Sequence, residues 1–197
     1  MNVLVFAVLG YLLGSLPFAV IVSRAFGLAD PRTFGSGNPG ATNVLRTGNK
    51  LAALLTLLGD AAKGWLAMLL AGLLGADATT AAIAGVAAFL GHVFPVFLRF
   101  RGGKGVATAL GVLIGLDGLL AALVAATWLA VAAVTRYSSL AAVAAACVAP
   151  TLTLQKFGIG TISTAVIGMC LLLLWRHRSN IANLAAGTEG GIGRRKA

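Results

Sequence analysis

The run Val106-Ala-Thr-Ala-Leu-Gly-Val-Leu-Ile-Gly-Leu-Asp117-Gly118-Leu-Leu-Ala-Ala-Leu-Val-Ala-Ala-Thr-Trp-Leu-Ala-Val-Ala-Ala-Val134 decides how this chain crosses a membrane. It is long enough for one span, or for two short ones that turn at Asp117-Gly118. That a membrane is involved follows from composition. Hydrophobic residues make up 59% of the 197 residues and charged ones 10%, and the mean hydropathy of +0.96 lies far above that of soluble domains. With a turn at Asp117 the count is seven spans. One side of the membrane then receives Arg24, Arg32, Arg46, Lys50, Arg99, Arg101, Lys104, Arg136, Arg176, Arg178, Arg194, Arg195 and Lys196, while Lys156 alone falls on the other. Without the turn, Arg136, Arg176, Arg178, Arg194, Arg195 and Lys196 would all move outside, against the positive-inside rule. The expectation is an all-α integral membrane protein of about seven transmembrane helices, with the N-terminus outside and the C-terminus cytoplasmic. The fourth span, about 11 residues or roughly 17 Å, is too short to cross the whole hydrocarbon layer upright.

The remaining spans are read at residues 3–23, with a kink at Pro17, then 51–75, 80–98, 140–154 and 161–175. No basic residue precedes the first, which argues against a secretory signal. Residues 1–197 read as a single polytopic domain, with a Gly-rich tail from about residue 187 expected to be flexible. The net charge of +10 is explained by topology rather than by nucleic acid, because the basic residues have little aromatic interleaving. Cys147 and Cys170 sit in apolar segments and imply neither a disulfide nor a metal site.

The longest polar loop carries Gly35-Ser36-Gly37-Asn38-Pro39-Gly40-Ala41-Thr42-Asn43-Val44-Leu45-Arg46. Asn38 followed by Pro39 is an N-cap and first-turn signal, so a helix is expected to begin at Pro39 with its N–H groups open to an anion. The glycine spacing also matches a Walker A loop, but Ala41 stands where the phosphate-binding Lys belongs. A second glycine nest, Gly102-Gly103-Lys104-Gly105, precedes the apolar run and brings its own ammonium. A third polar cluster is Arg176-His177-Arg178-Ser179-Asn180-Ile181-Ala182-Asn183. All three fall on the same side. Inside the second span Asp60 and Lys63 share a helix face, as an ion pair or as contacts for a charged substrate. His92 reads as a satisfied interfacial group and His177 as a solvated headgroup contact among arginines, or either as a proton carrier. The two His, two Cys and five carboxylates show no metal-ligand spacing, and no Ser-centred nucleophile elbow appears.

Gly35-Ser-Gly-Asn-Pro-Gly-Ala-Thr-Asn43, Gly91-His-Val-Phe-Pro-Val-Phe-Leu-Arg-Phe-Arg-Gly-Gly-Lys-Gly-Val-Ala-Thr108 and His177-Arg-Ser-Asn-Ile-Ala-Asn-Leu184, with Gly187 and Glu189, closely resemble the three motifs of the bacterial acyl-phosphate:glycerol-3-phosphate acyltransferases, the PlsY family. Gly14-Ser-Leu-Pro17, Asp60-Ala-Ala-Lys-Gly64 and Arg136-Tyr-Ser-Ser139 extend the resemblance along the chain. Arg101 stands where Lys is usual, and Ala182 where a basic residue is common. The resemblance implies transfer of a fatty acyl group from acyl phosphate to the sn-1 hydroxyl of glycerol 3-phosphate at the cytoplasmic face of the bacterial inner membrane, giving lysophosphatidate and phosphate. It implies no cofactor, no metal and no obligate protein partner beyond membrane lipid. On that reading Ser36, Asn38, Arg46, Lys104, His177 and Asn180 are the catalytic set. Gly37, Gly40, Thr42, Asn43, Lys63, His92, Gly102, Gly103, Ser138 and Ser139 are the substrate phosphate-binding set.

The residues fit that chemistry. Two anionic substrates repel each other, so a site needs cationic cradles, and an already activated acyl donor needs mainly positioning and charge stabilisation. A substrate phosphate is a candidate base, with His177 or His92 as the protein alternative. The rival from another class is a small-anion carrier, whose polar residues would line a midplane path open to both sides; apart from Asp60 and Lys63, the ionisable residues here gather on one face.

Overall fold

The apolar run from Val106 breaks at Asp117, whose extended backbone (φ −166°, ψ 125°) ends one helix and caps the next by accepting from Leu120 N–H at 2.8 Å. A computed structural model describes residues 2–192. Among them the helices are α1 (Val3–Gly14), α2 (Phe18–Ala25), α3 (Ala41–Leu45), α4 (Lys50–Leu73), α5 (Ala78–Val93), α6 (Val106–Leu116), α7 (Gly118–Thr135), α8 (Ser138–Phe157), α9 (Thr161–Arg176) and α10 (Arg178–Ala185), with a 3₁₀ turn at Val96–Leu98. Five segments are long and apolar enough to cross a membrane: α1 with α2, α4, α5 with its 3₁₀ turn, α7 and α8. Helices α6 and α9 are shorter apolar helices. Large apolar side chains such as Leu58, Leu119, Leu129 and Leu171 point outward, as a lipid-facing surface requires.

Helix α5 is central, packed on α1, α4, α6 and α9. Lipid is as apolar as a core side chain, so close packing rather than water exclusion must hold such helices together. Glycine supplies it. A Cβ at Gly10 or Gly14 would strike the backbone of Ala84 or Ala88 on α5, and one at Gly64 or Gly111 would strike the facing backbone between α4 and α6. Around these seams Met68, Phe89, Val112, Val166, Met169 and Leu173 form the main apolar cluster.

Pro17 separates α1 from α2. The break frees Leu16 C=O, which Lys63 Nζ on α4 takes at 2.9 Å, so the unwound backbone stays satisfied at depth. Tyr11 Oη donates to Phe94 C=O at 2.7 Å and fixes the end of α5 against α1.

One expectation changes. Helix α3 begins at Ala41 after Gly40, not at Pro39, and Asn38 caps nothing. The reason is Asn43: its Oδ1 accepts from Ser36 N–H at 3.1 Å and its Nδ2 donates to Pro31 C=O at 2.6 Å and to Phe34 C=O at 3.2 Å. These bonds pull Asn38 and Pro39 into the loop and leave a helix of 5 residues, too short to present a terminal anion site. Over residues 187–192 the Gly-rich end makes hydrogen bonds to the helices. Ile192 N–H donates to Arg136 C=O at 2.7 Å, and Glu189 makes two further hydrogen bonds. Arg194, Arg195 and Lys196 lie outside the described residues.

Candidate functional site

The loop Gly35–Arg46, the Gly102–Lys104 turn and the Arg176–Asn183 segment surround one cleft of about 460 Å³. Gly35 (φ +59°) and Gly37 (φ +66°) turn the first loop through left-handed conformations. A Cβ at Gly35 would collide with Asn43 Oδ1 and Arg46. Asn43 is the buried peg of this loop; Ser36, Asn38 and Arg46 reach the cleft beside it.

The second wall is a chain reversal. After α5, Arg99 (φ 52°) and Phe100 (φ 61°) adopt left-handed conformations. The chain then returns antiparallel to the helix end, with Phe100 N–H on Pro95 C=O at 2.9 Å, Gly102 N–H on Val93 C=O at 3.2 Å and Gly103 N–H on His92 C=O at 3.1 Å. This return places Lys104 at the cleft, just before α6. Arg176 Nη2 donates to Gly102 C=O at 2.9 Å and ties the turn to the end of α9.

The third wall is a hydrogen-bonded relay. Lys104 Nζ donates to Asn180 Oδ1. Asn180 Nδ2 donates to Glu189 Oε1 at 2.7 Å, and Ser139 Oγ at the start of α8 donates to the same oxygen at 2.7 Å. Glu189 thereby sets which side of the Asn180 amide faces the lysine. Burial holds the Lys104 ammonium below the usual lysine range; Glu189 opposes this shift, and Arg176 and Arg46 add to it. Among the described lining residues Arg46, Lys104, Arg176 and Arg178 face Glu189 as the one carboxylate. The cleft therefore carries an excess of positive charge and favours anions.

Of the sequence candidates, Ser36, Gly37, Asn38, Arg46, Gly102, Lys104 and Asn180 line the cleft. His177 stands behind it, 3% exposed, with Nδ1 at 2.8 Å from Leu173 C=O. Burial is the main cause that pushes its imidazole down to about 4, so it stays neutral near pH 7. Gly40 and Thr42 flank the start of α3, Ser138 opens α8, and Asn43 and Ser139 support lining residues. Lys63 and His92 lie elsewhere. They meet Asp60 Oδ1 at 2.9 and 3.3 Å beside a separate cavity of about 10 Å³, which Gly103 also touches. Sequence reading left Glu189, Arg176, Arg178, Ser179 and Asn183 out of the site. For Glu189 the available signal was its place beside Gly187 in the third motif.

A family model described as glycerol-3-phosphate acyltransferase matches residues 4–187. A glycerol-3-phosphate acyltransferase of Ralstonia nicotianae is 60% identical over 196 residues, covering 98% of this chain and 95% of that protein. One from Laribacter hongkongensis is 61% identical over 193 residues, with 96% of each covered. Among solved structures, the glycerol 3-phosphate form of PlsY, an integral membrane glycerol 3-phosphate acyltransferase, superposes with a TM-score of 0.91 at 36% identity, covering 98% of this chain and 96% of that one. Its lysophosphatidic acid form gives 0.89 at 34% identity, with 97% and 95% covered.

Proposed function

The chain belongs to the glycerol-3-phosphate acyltransferase family, and from that premise we propose that it transfers a fatty acyl group from acyl phosphate to the sn-1 hydroxyl of glycerol 3-phosphate, releasing lysophosphatidate and phosphate. The observation that carries this reading is the cleft itself, where cations from three separate segments converge against one carboxylate. Acyl transfer to glycerol 3-phosphate is the activity of the family; the donor and the residue roles are our inference.

In this mechanism Arg46 and Lys104 hold the two phosphate groups, and Ser36, Asn38 and the Asn180 amide orient them. The acceptor hydroxyl oxygen bonds to the acyl carbonyl carbon, the bond from that carbon to the phosphate oxygen breaks, and the hydroxyl proton passes to a substrate phosphate. Pre-aimed cations stabilise the oxyanion and the leaving phosphate. A phosphate monoester, whose second pKa is about 6, is a better matched base near neutral pH than His177 at about 4. We assign His177 to holding the α9–α10 joint that presents Asn180. An acyl phosphate also suits the short loops here, because a nucleotide-bearing thioester would need a docking surface of its own.

We further propose seven spans, counting α6 and α9 as membrane-crossing, an outside N-terminus and a cleft open to the cytoplasm at the bacterial inner membrane. The arrangement is supported by the Asp117 break and by Lys156 lying at the end of α8 opposite Arg136. Single cysteines introduced as Asn49→Cys, Arg101→Cys and Ser179→Cys, in a background lacking Cys147 and Cys170, should resist impermeant thiol reagents in intact cells; labelling at position 179 from outside defeats this topology. For the donor, the purified protein should acylate glycerol 3-phosphate with palmitoyl phosphate in the presence of EDTA and make negligible use of palmitoyl-CoA. Robust turnover with the thioester, or loss on chelation that zinc or magnesium restores, refutes the donor assignment and the metal-free mechanism respectively.

A further inference from the structure

Asp60, Lys63 and His92 form a buried ionisable cluster that the cleft chemistry does not use. Their side chains are 4%, 2% and 8% exposed. Lys63 Nζ and His92 Nδ1 approach the same oxygen, Asp60 Oδ1, at 2.9 and 3.3 Å, and Lys63 also donates to Leu16 C=O at 2.9 Å. Burying three such groups is costly unless the set neutralises itself. With the imidazole uncharged, one carboxylate balances one ammonium and the set is neutral. The adjoining cavity of about 10 Å³ holds about one water centre and is too small for a phosphate.

What this cluster does touch is the turn that carries Lys104. The imidazole of His92 fills the space a side chain at Gly103 would need, with Nε2 the nearest atom. The backbone of the same residue pairs with that turn, since His92 C=O accepts from Gly103 N–H at 3.1 Å. Asp60 decides which way the ring points, by facing Nδ1 and leaving the Nε2 edge toward the glycine. A ring that tilted would press on Gly103, and Lys104 is the next residue.

We propose that Asp60, Lys63 and His92 are positioning residues: a self-neutralised seat, anchored by Lys63 to the broken first span, that fixes the Gly102–Gly103 backbone and through it the place of the Lys104 ammonium. This rests on the reading of Lys104 as a substrate-phosphate ligand. The seat binds no substrate. It ties the unwound backbone at Leu16 to the phosphate-facing lysine through Lys63, Asp60 and the His92 ring.

The test is a kinetic double-mutant cycle on the purified full chain, with palmitoyl phosphate and glycerol 3-phosphate as substrates. His92→Phe keeps ring bulk but loses the contact with Asp60; it should lower kcat by about tenfold or more, the scale of a displaced catalytic group. In a Lys104→Arg background, which already misplaces the cation, the same change should cost less than about threefold, because both act on one group. His92→Asn, whose amide can still face Asp60, should recover most of what His92→Phe loses. If His92→Phe does not accumulate as folded protein, Gly103→Ala repeats the cycle, since its methyl presses on the same ring. Equal losses in both backgrounds, or a loss in KM alone, overturn the proposal while leaving the phosphate reading intact. Full activity of Lys104→Ala overturns the phosphate reading and the proposal with it.

Discussion

The cleft and the Asp60 cluster are both built from ionisable side chains close to the same turn, and they are solved in opposite ways. In the cluster, one carboxylate takes two partners on a single oxygen and every charge is spent internally at 2 to 8% exposure. In the cleft, Arg46, Lys104, Arg176 and Arg178 outnumber Glu189, and the surplus faces an open volume of about 460 Å³. A charge buried in the spans must be cancelled to exist at all. A charge at the rim can be left uncancelled, as the proposed phosphate-binding role of Arg46 and Lys104 requires. The difference separates cancelled cations from surplus ones better than sequence position does, because Lys63 and Lys104 are both lysines in glycine-containing segments.

Breaking the cancellation should have the largest effect. Asp60→Asn leaves Lys63 without its counter-charge at 2% exposure, and removing one partner of a buried pair costs about 3–5 kcal/mol. The expected outcome is a large drop in the thermal midpoint in detergent and a low yield of folded protein. An unchanged midpoint shows that the cluster is not a cancelled set.

Removing a surplus charge should act on turnover instead. Lys104→Ala deletes an ammonium whose described hydrogen bond is to Asn180 Oδ1 and which packs no core. Turnover should fall by about a hundredfold or more, near 3 kcal/mol of transition-state stabilisation, while the thermal midpoint stays close to the parent. A parallel loss of stability would put Lys104 in the same class as Lys63 and erase the contrast.

The sequence reads well wherever the deciding signal is local. Asp117-Gly118 announces a turn and Pro17 announces a break; both are where those residues predict. It reads poorly where a distant partner decides. Asn38-Pro39 has the form of a helix start, yet Asn43 reaches back 12 positions to Pro31 and delays the helix. Glu189 belongs to the third motif, but its bond to Ser139, 50 positions away, is not legible in the sequence. His92 lies between Gly91 and Val93 and His177 between Arg176 and Arg178, and neither setting announces how deeply the ring is buried. Their burial, to 8% and 3% exposure, comes from tertiary packing that the sequence does not display.

The weakest effect belongs to a pair that looks, by distance, as strong as the buried one. Lys156 Nζ lies 2.8 Å from Asp117 Oδ2, against 2.9 Å for Lys63 and Asp60. The exposures differ: 44% and 21% for the outer pair, 2% and 4% for the inner one. Water screens the outer pair, and holding two mobile side chains together offsets most of its Coulomb gain. Asp117 has a second duty, capping α7 through Leu120 N–H, and Asn performs that duty as well as Asp. Asp117→Asn therefore removes the ion pair and keeps the cap, so activity should change by less than about twofold and the thermal midpoint too little to resolve. Asp117→Ala removes both and should lower the midpoint measurably. A large loss from Asp117→Asn alone would mean that ion-pair distance outweighs burial in this protein, and the division between cancelled and surplus charge would have to be redrawn.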